Sequence, residues 1–228
     1  FIYLMSVCVI NQPAGLGDIF YSQKIAKEIL KRNKATKIIW PVLDNFIYLK
    51  NYLKYDGIEY IEQSKFTAPK DSYEVNLHTA DQRYSGSVMS AKYKEVGLSE
   101  EGWVDYFNFD RNKNREDLLY NRLVDNDNYI VRNNYYGSPP NSLKHNIPYS
   151  GNKDIIDIDF YPDINLFDWC SILENASEIH LVETSFVYIL EKLNLKSKSN
   201  FLYSRFNPAN FMHIKHIPHN INWKYKQW

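Results

Sequence analysis

The chain has only two cysteines in 228 residues, Cys8 and Cys170, both in apolar surroundings and far apart in sequence. They are expected as buried free thiols, which fits an intracellular, cytoplasmic protein. No apolar run of about 18 residues occurs, so no membrane span is expected, and any membrane contact would be peripheral. The apolar run 1–10 is short and lacks a basic flank, which argues against a signal peptide and for a first strand. An initiator Met is also missing, and the chain reads as trimmed or as a fragment. Excess charge is absent too: Lys+Arg and Asp+Glu both number 27. That balance gives no support to a nucleic-acid binder, which needs many phosphate-neutralising cations. It leaves room for a small anionic ligand at a local site.

Several common motifs are lacking. Gly15 and Gly17 begin like a dinucleotide fingerprint, but Phe20 stands where the third glycine belongs. No Gly-Lys-Ser/Thr follows, so there is no P-loop. Asp157-Ile158-Asp159 has the form of a metal–diphosphate clamp, yet it alternates within an apolar strand and is read as part of it. His213, His216 and His219 are spaced by three but have no acidic or cysteine partner nearby in sequence. No metal ligand set and no cofactor are expected.

What is there is an aromatic-rich chain with a repeated rhythm. Aromatic residues make up 16%, with 19 Tyr and 5 Trp, enough for sugar or base stacking or for a packed core. The Trp103–Phe109 cluster is read as packing. Strands are expected at 4–10, 37–42 (ending at a sheet margin at Pro41), 58–61 and 73–78, with helices at 19–31 and at 46–55, the latter capped by Asp44 or Asn45. The rhythm restarts with strands at 129–133, 154–160 and 178–182 and helices at 166–175, with Asp163 as cap, and at 186–193. This βαβ order predicts mostly parallel sheets. The fold class is α/β, with two Rossmann-like domains, 1–125 and 126–228, facing across a cleft. Asn126-Asp127-Asn128 marks the linker end.

Three segments carry candidate chemistry. In Gly15-Leu16-Gly17-Asp18 the glycines can take positive φ and let the backbone approach a ligand closely, and Asp18 sits near a helix start. A carboxylate there can accept a proton from an attacking hydroxyl; the competing reading is a capped turn. In Glu183-Thr184-Ser185 a strand runs into a helix, and the hydroxyls and free N–H groups suit a pyrophosphate, with Glu183 placed for sugar hydroxyls. Capping is again the rival. The loop after residue 133 offers Arg132, Ser138, Ser142, Lys144 and His145 to neutralise a leaving diphosphate. His78 and Asp81 form a weaker strand-end pair.

Ala14-Gly15-Leu16-Gly17-Asp18-Ile19, together with the stretch 166–193 and its Glu183-Thr184-Ser185, resembles the GT-B glycosyltransferases of the ADP-heptose–lipopolysaccharide heptosyltransferase type. The resemblance implies a metal-independent glycosyltransferase moving a sugar from a nucleotide-diphosphate donor to a hydroxyl, in all expectation of a glycan. It assigns the base to Asp18 and donor contacts to Glu183, Thr184 and Ser185, with a looser match to Ser138, Ser142 and Lys144. Where the family has a small residue and a histidine, this chain has Ser185 and Tyr188, and it is shorter than typical members. The alternative reading is a nucleotide- or sugar-binding α/β module without turnover.

Overall fold

The computed structural model describes residues 6–137, 143–205 and 217–226. The chain divides into two units, 1–110 with 216–218 and 111–215 with 219–228.

The first unit begins with β1 (Val7–Asn11), apolar and buried at its centre. The Gly15 turn leads into α1 (Leu16–Tyr21) and α2 (Gln23–Lys31). The single helix expected over 19–31 is broken at Ser22, whose ψ of 1° opens one turn. Hydrogen bonds from Ser22 N to Asp18 O and from Ala26 N to Ser22 O carry the path across the break. Then follow β2 (Lys37–Val42), β3 (Ile58–Glu62), β4 (Ser72–Asn76), α3 (Val88–Glu95) and α4 (Trp103–Tyr106). The four strands pair in parallel, in the order β3-β2-β1-β4. Pro41 lies beyond the last residue of β2 paired with β1, where a missing N–H costs nothing to that ladder.

The helix expected over 46–55 is a 3-10 helix, Asp44–Asn51. Asp44 does not cap it. Its carboxylate instead takes the backbone N–H and the hydroxyl of Ser64. The Trp103 cluster packs as expected. Tyr21 lies 5.1 Å from Trp103 and 5.0 Å from Tyr93, and Phe20 stacks on Phe107 at 4.8 Å. All five rings are buried, so they form core and not a ligand platform.

The second unit opens with α5 (Lys113–Leu123). Strands β5 (Tyr129–Asn133), β8 (Asp154–Asp157), β9 (Glu178–Val182), β10 (Asn200–Tyr203) and β11 (Trp223–Lys226) form a parallel sheet, ordered β11-β10-β9-β5-β8. A small antiparallel ribbon, β6 (Tyr135–Tyr136) with β7 (Leu143–Lys144), follows β5. The helices are α6 (Cys170–Asn175), entered through a 3-10 turn Leu166–Trp169, and α7 (Phe186–Leu190). Asn165, not Asp163, caps that entry, in a reciprocal box with Asp168. β10 (sequence NFLY) and β11 (sequence WKYK) are strands that the sequence reading did not assign; only in β11 do aromatic and basic residues alternate.

Within the second unit α5 is tied to the elements that follow it. Arg115 grips the fully buried Asp168 with two bonds, Nε–Oδ1 at 2.9 Å and Nη2–Oδ2 at 2.7 Å. Arg111 binds Glu116 and also Glu174 Oε1 at 2.7 Å, and the Ser171 hydroxyl donates to Glu116 at 2.7 Å. Both cysteines are free and buried, and burial pushes the Cys8 thiol up to about 11.

Two buried groups of this unit make its stability pH-dependent. His180 stacks on Phe201 at 4.5 Å, and burial lowers its pKa from 6.5. Burial pushes the Glu116 carboxyl up, but hydrogen bonds from Arg111 and Ser171 outweigh this and hold it below 4.5. In both cases the unfolded chain binds the proton more readily, so stability falls as pH falls. Thermal melts should show one loss below pH 6.5 and a second below 4.5. His180→Phe, which keeps the stack, should remove the first step only; a first step that persists would assign it to another group.

In each sheet the connections reverse direction beside the first strand, between β1 and β4 in one unit and between β5 and β9 in the other. Loops leave such a point to opposite sides and open a crevice at the carboxyl ends of the strands, where α/β folds bind ligands.

Candidate functional site

Both reversal points carry residues singled out from the sequence. In the first unit Gly15 has φ 78° and caps α1. This left-handed conformation favours glycine, and a Cβ here would also fall on Asp18 Oδ2. Gly17 lies inside α1 and has no positive φ, so of the two glycines Gly15 alone makes the turn. Asp18 stands in the first turn of α1 with its side chain 29% exposed. Its carboxylate does not cap the helix but faces Lys92 of α3, Nζ–Oδ1 3.0 Å. Lys92 is 1% exposed and also donates to Gln12 Oε1 at 2.7 Å and to Leu77 O at 2.9 Å. Gln12 follows β1 and Leu77 follows β4, so the cluster sits on the reversal point. His78 is next along, exposed, with its N–H on Asn11 O; Asp81 is exposed as well.

In the second unit the equivalent point joins β5 to β9. Asn133 ends β5, and its side-chain amide donates to Thr184 Oγ1 at 3.3 Å and to Tyr135 O at 3.1 Å. Asn134 Nδ2 reaches Asp157 Oδ1 at 3.1 Å, while its Oδ1 takes Ile147 N at 2.8 Å. The ribbon folds back so that His145 Nε2 lies 2.8 Å from Arg205 O, and Arg205 Nε donates to Glu183 O. Glu183 and Thr184 are buried, and the partly exposed Ser185 is the N-cap of α7, without a side-chain cap bond. The capping rival is therefore not realised by Ser185. α7 has only five residues, so it contributes little dipole, and the local donors are hydroxyls and amides.

The remaining candidates are placed differently. Arg132 is committed: Nε and Nη2 hold Asp157 at 2.7 and 2.8 Å, and Nη1 donates to Ile147 O at 2.9 Å. This also gives Asp157 a structural partner and removes it from any clamp. Tyr188 is buried in α7, amid core. Lys144 is exposed on the ribbon with its Nζ 5.1 Å from the Tyr135 ring centre. Ser138 and Ser142 lie outside the described residues, as do His213 and His216; His219 Nδ1 is 2.8 Å from Glu191 Oε1. Among the described residues no group of three or more His, Cys, Asp or Glu could hold a metal ion. Among the described residues no helix is long and apolar enough to cross a membrane.

Sequence reasoning missed Lys92, Gln12, Asn133, Asn134 and Arg205. A signal for the asparagines existed, since Asn133-Asn134 directly follows an apolar strand. None existed for Lys92, which stands 80 residues from Gln12 and reads as an ordinary solvated charge.

No protein-family model matches the chain, and no curated protein matches it. Solved structures do. A glycosyl transferase family 9 protein from Veillonella parvula superposes with a TM-score of 0.55 at 9% identity, over 98% of this chain and 86% of that one. The dodecameric iron-containing heptosyltransferase TibC, in complex with ADP-D-beta-D-heptose, gives 0.52 at 13% identity, over 87% of this chain. TibC from enterotoxigenic E. coli in a second structure gives 0.49 at 14% identity. The chain spans 57% of the length of TibC. At such identities the likeness is one of fold, and the chain shares with these glycosyltransferases the GT-B kind of construction from two Rossmann-like units.

Proposed function

We propose that the protein is a glycosyltransferase that moves a sugar from a nucleotide-diphosphate donor to an acceptor hydroxyl, of a glycan by preference. The observation that carries this reading is Asp18: a partly open carboxylate at a reversal point, with the Gly15 turn making room beside it. In the reaction the acceptor O–H gives its proton to Asp18, and its oxygen bonds to the anomeric carbon of the donor. The bond from that carbon to the diphosphate breaks, and the diphosphate leaves with the electron pair. Charge on the leaving group is met by Thr184, Ser185 and the local N–H groups, with Lys144 as the cation and Glu183 beside the sugar. Arg132 has no part in it, since Asp157 and Ile147 occupy its donors. No metal enters the scheme.

Thr184→Ala combined with Ser185→Ala is expected to weaken nucleotide-diphosphate binding by about tenfold or more, the loss of one or two hydrogen bonds to a charged group. Calorimetry reads this directly, and unchanged affinity would move the donor site elsewhere. The thermal shift of the protein against GDP-, UDP-, ADP-, CMP- and dTDP-linked sugars identifies the donor class. A binding module without turnover is the second reading, favoured by the commitment of Arg132 and the burial of Tyr188. It predicts the same shift with no release of nucleotide.

A further inference from the structure

We propose that Lys92 is a positioning residue for Asp18, holding carboxylate oxygen Oδ1 so that Oδ2 is the oxygen left to take the proton. The inference rests on the glycosyltransferase reading for its catalytic meaning, but its geometry stands apart from it. Lys92 lies on α3 beside Tyr93, whose hydroxyl donates to Tyr21 O at 2.7 Å and so docks α3 against α1. Its ammonium has three oxygens around it: Gln12 Oε1, Leu77 O and Asp18 Oδ1. The Gln12 amide is itself held, with Nε2 donating to Ala14 O at 2.6 Å, so its oxygen is turned towards Lys92. The Gln12 carbonyl takes the indole N–H of Trp40 at 3.1 Å, which anchors the same residue to β2.

Two of the three partners are neutral, and a neutral donor would serve them. A charge is called for by the carboxylate alone. Burying an ammonium is costly; replacing a whole buried ion pair by well-packed apolar residues is commonly neutral or stabilising, whereas removing one partner leaves the other without compensation. The charge therefore has its use in fixing Asp18. Oδ2 lies against Gly15, over the place a Cβ would fill. Glycine at 15 and lysine at 92 thus act on the two oxygens of one carboxylate, the first giving room and the second giving direction.

The test uses the full chain and Lys92→Met, which keeps length and removes charge. Release of nucleotide from the panel of nucleotide sugars, with water as acceptor, should slow at least tenfold while the half-saturating donor concentration stays within twofold. Ethylammonium should restore part of the rate to Lys92→Ala. A rate unchanged within twofold, or a loss carried wholly by donor binding, overturns the proposal. A second measurement does not depend on turnover. Thermal midpoints of Lys92→Met and Asp18→Asn should each fall, by roughly 5–10 °C for the lysine variant, and the double variant should fall no further than the lower single. Additive losses overturn the positioning role even if sugar transfer is established; non-additive losses without any turnover uphold the pairing and sink the function reading instead. Should Lys92→Met not fold, solvent exchange of the Lys92 ammonium protons in 15N spectra replaces it. Exchange at least tenfold faster in Asp18→Asn supports the pairing, and equal rates overturn it.

Discussion

Asp18→Asn is expected to reduce turnover about a hundredfold or more while leaving donor affinity nearly intact. The amide has the same shape as the carboxylate and still offers Lys92 an oxygen, so the Gly15 turn and α1 keep their form. What it loses is the capacity to accept a proton from the attacking hydroxyl. Donor affinity is the control because the proposed donor contacts, Glu183 to Ser185, belong to the other unit. Steady-state rates together with calorimetry on the same preparation check both halves of the expectation. Equal activity in the variant would remove Asp18 from the reaction, and a matching loss of donor affinity would make it a binding residue.

The second large effect concerns folding. Asp168→Ala is expected to destabilise the second unit by about 2–4 kcal/mol. Asp168 is fully buried and accepts from Arg115 Nε and Nη2 and from Asn165 N at 2.8 Å. Removing it takes the carboxylate from Arg115, which keeps its bond to Asp163 O, and the acceptor from the backbone donor of the capping box, and so loosens α5 from the entry to α6. The full cost of orphaning a buried charge would be higher, but the Arg115 side chain is 39% exposed and can regain water. Asp168→Asn keeps the acceptor for Asn165 and should recover about a third of the loss. Chemical denaturation checks the series. A midpoint shift in Asp168→Ala no larger than that of an exposed-site variant such as Leu118→Ala would show that α5 is held by Arg111 and Glu116 alone.

The same pair explains what was legible in the sequence and what was not. The α/β class and the parallel strands could be read because buried parallel strands are short, apolar and β-branched, as in Val7–Ile10 and Glu178–Val182. Gly15 and Asp18 could be read because a glycine turn between strand and helix is a local feature. The Arg115–Asp168 pair could not: the two residues are 53 apart, and each by itself looks like a surface charge. The strand β11 was missed since its residues alternate aromatic with lysine, and only pairing with β10 sets Lys224 and Lys226 over the Phe201 ring at 5.2 and 5.3 Å. Sequence alone also left Arg132 available, whereas pairing of β5 with β8 sets it opposite Asp157.

By itself, then, the sequence determined many of the local events: the apolar parallel strands, the Gly15 turn after β1, and the carboxylate and hydroxyls that follow β9. Tertiary structure decided which of these are buried, paired or partly exposed. Strand order placed Asp18 and the Asn133–Thr184 contact at the two reversal points, buried Lys92 against Gln12 and Leu77, and consumed Arg132 in an ion pair. The reason is physical. Helix, strand and turn preferences act over a few residues, while burial and pairing of charge depend on register between segments that are distant in the chain.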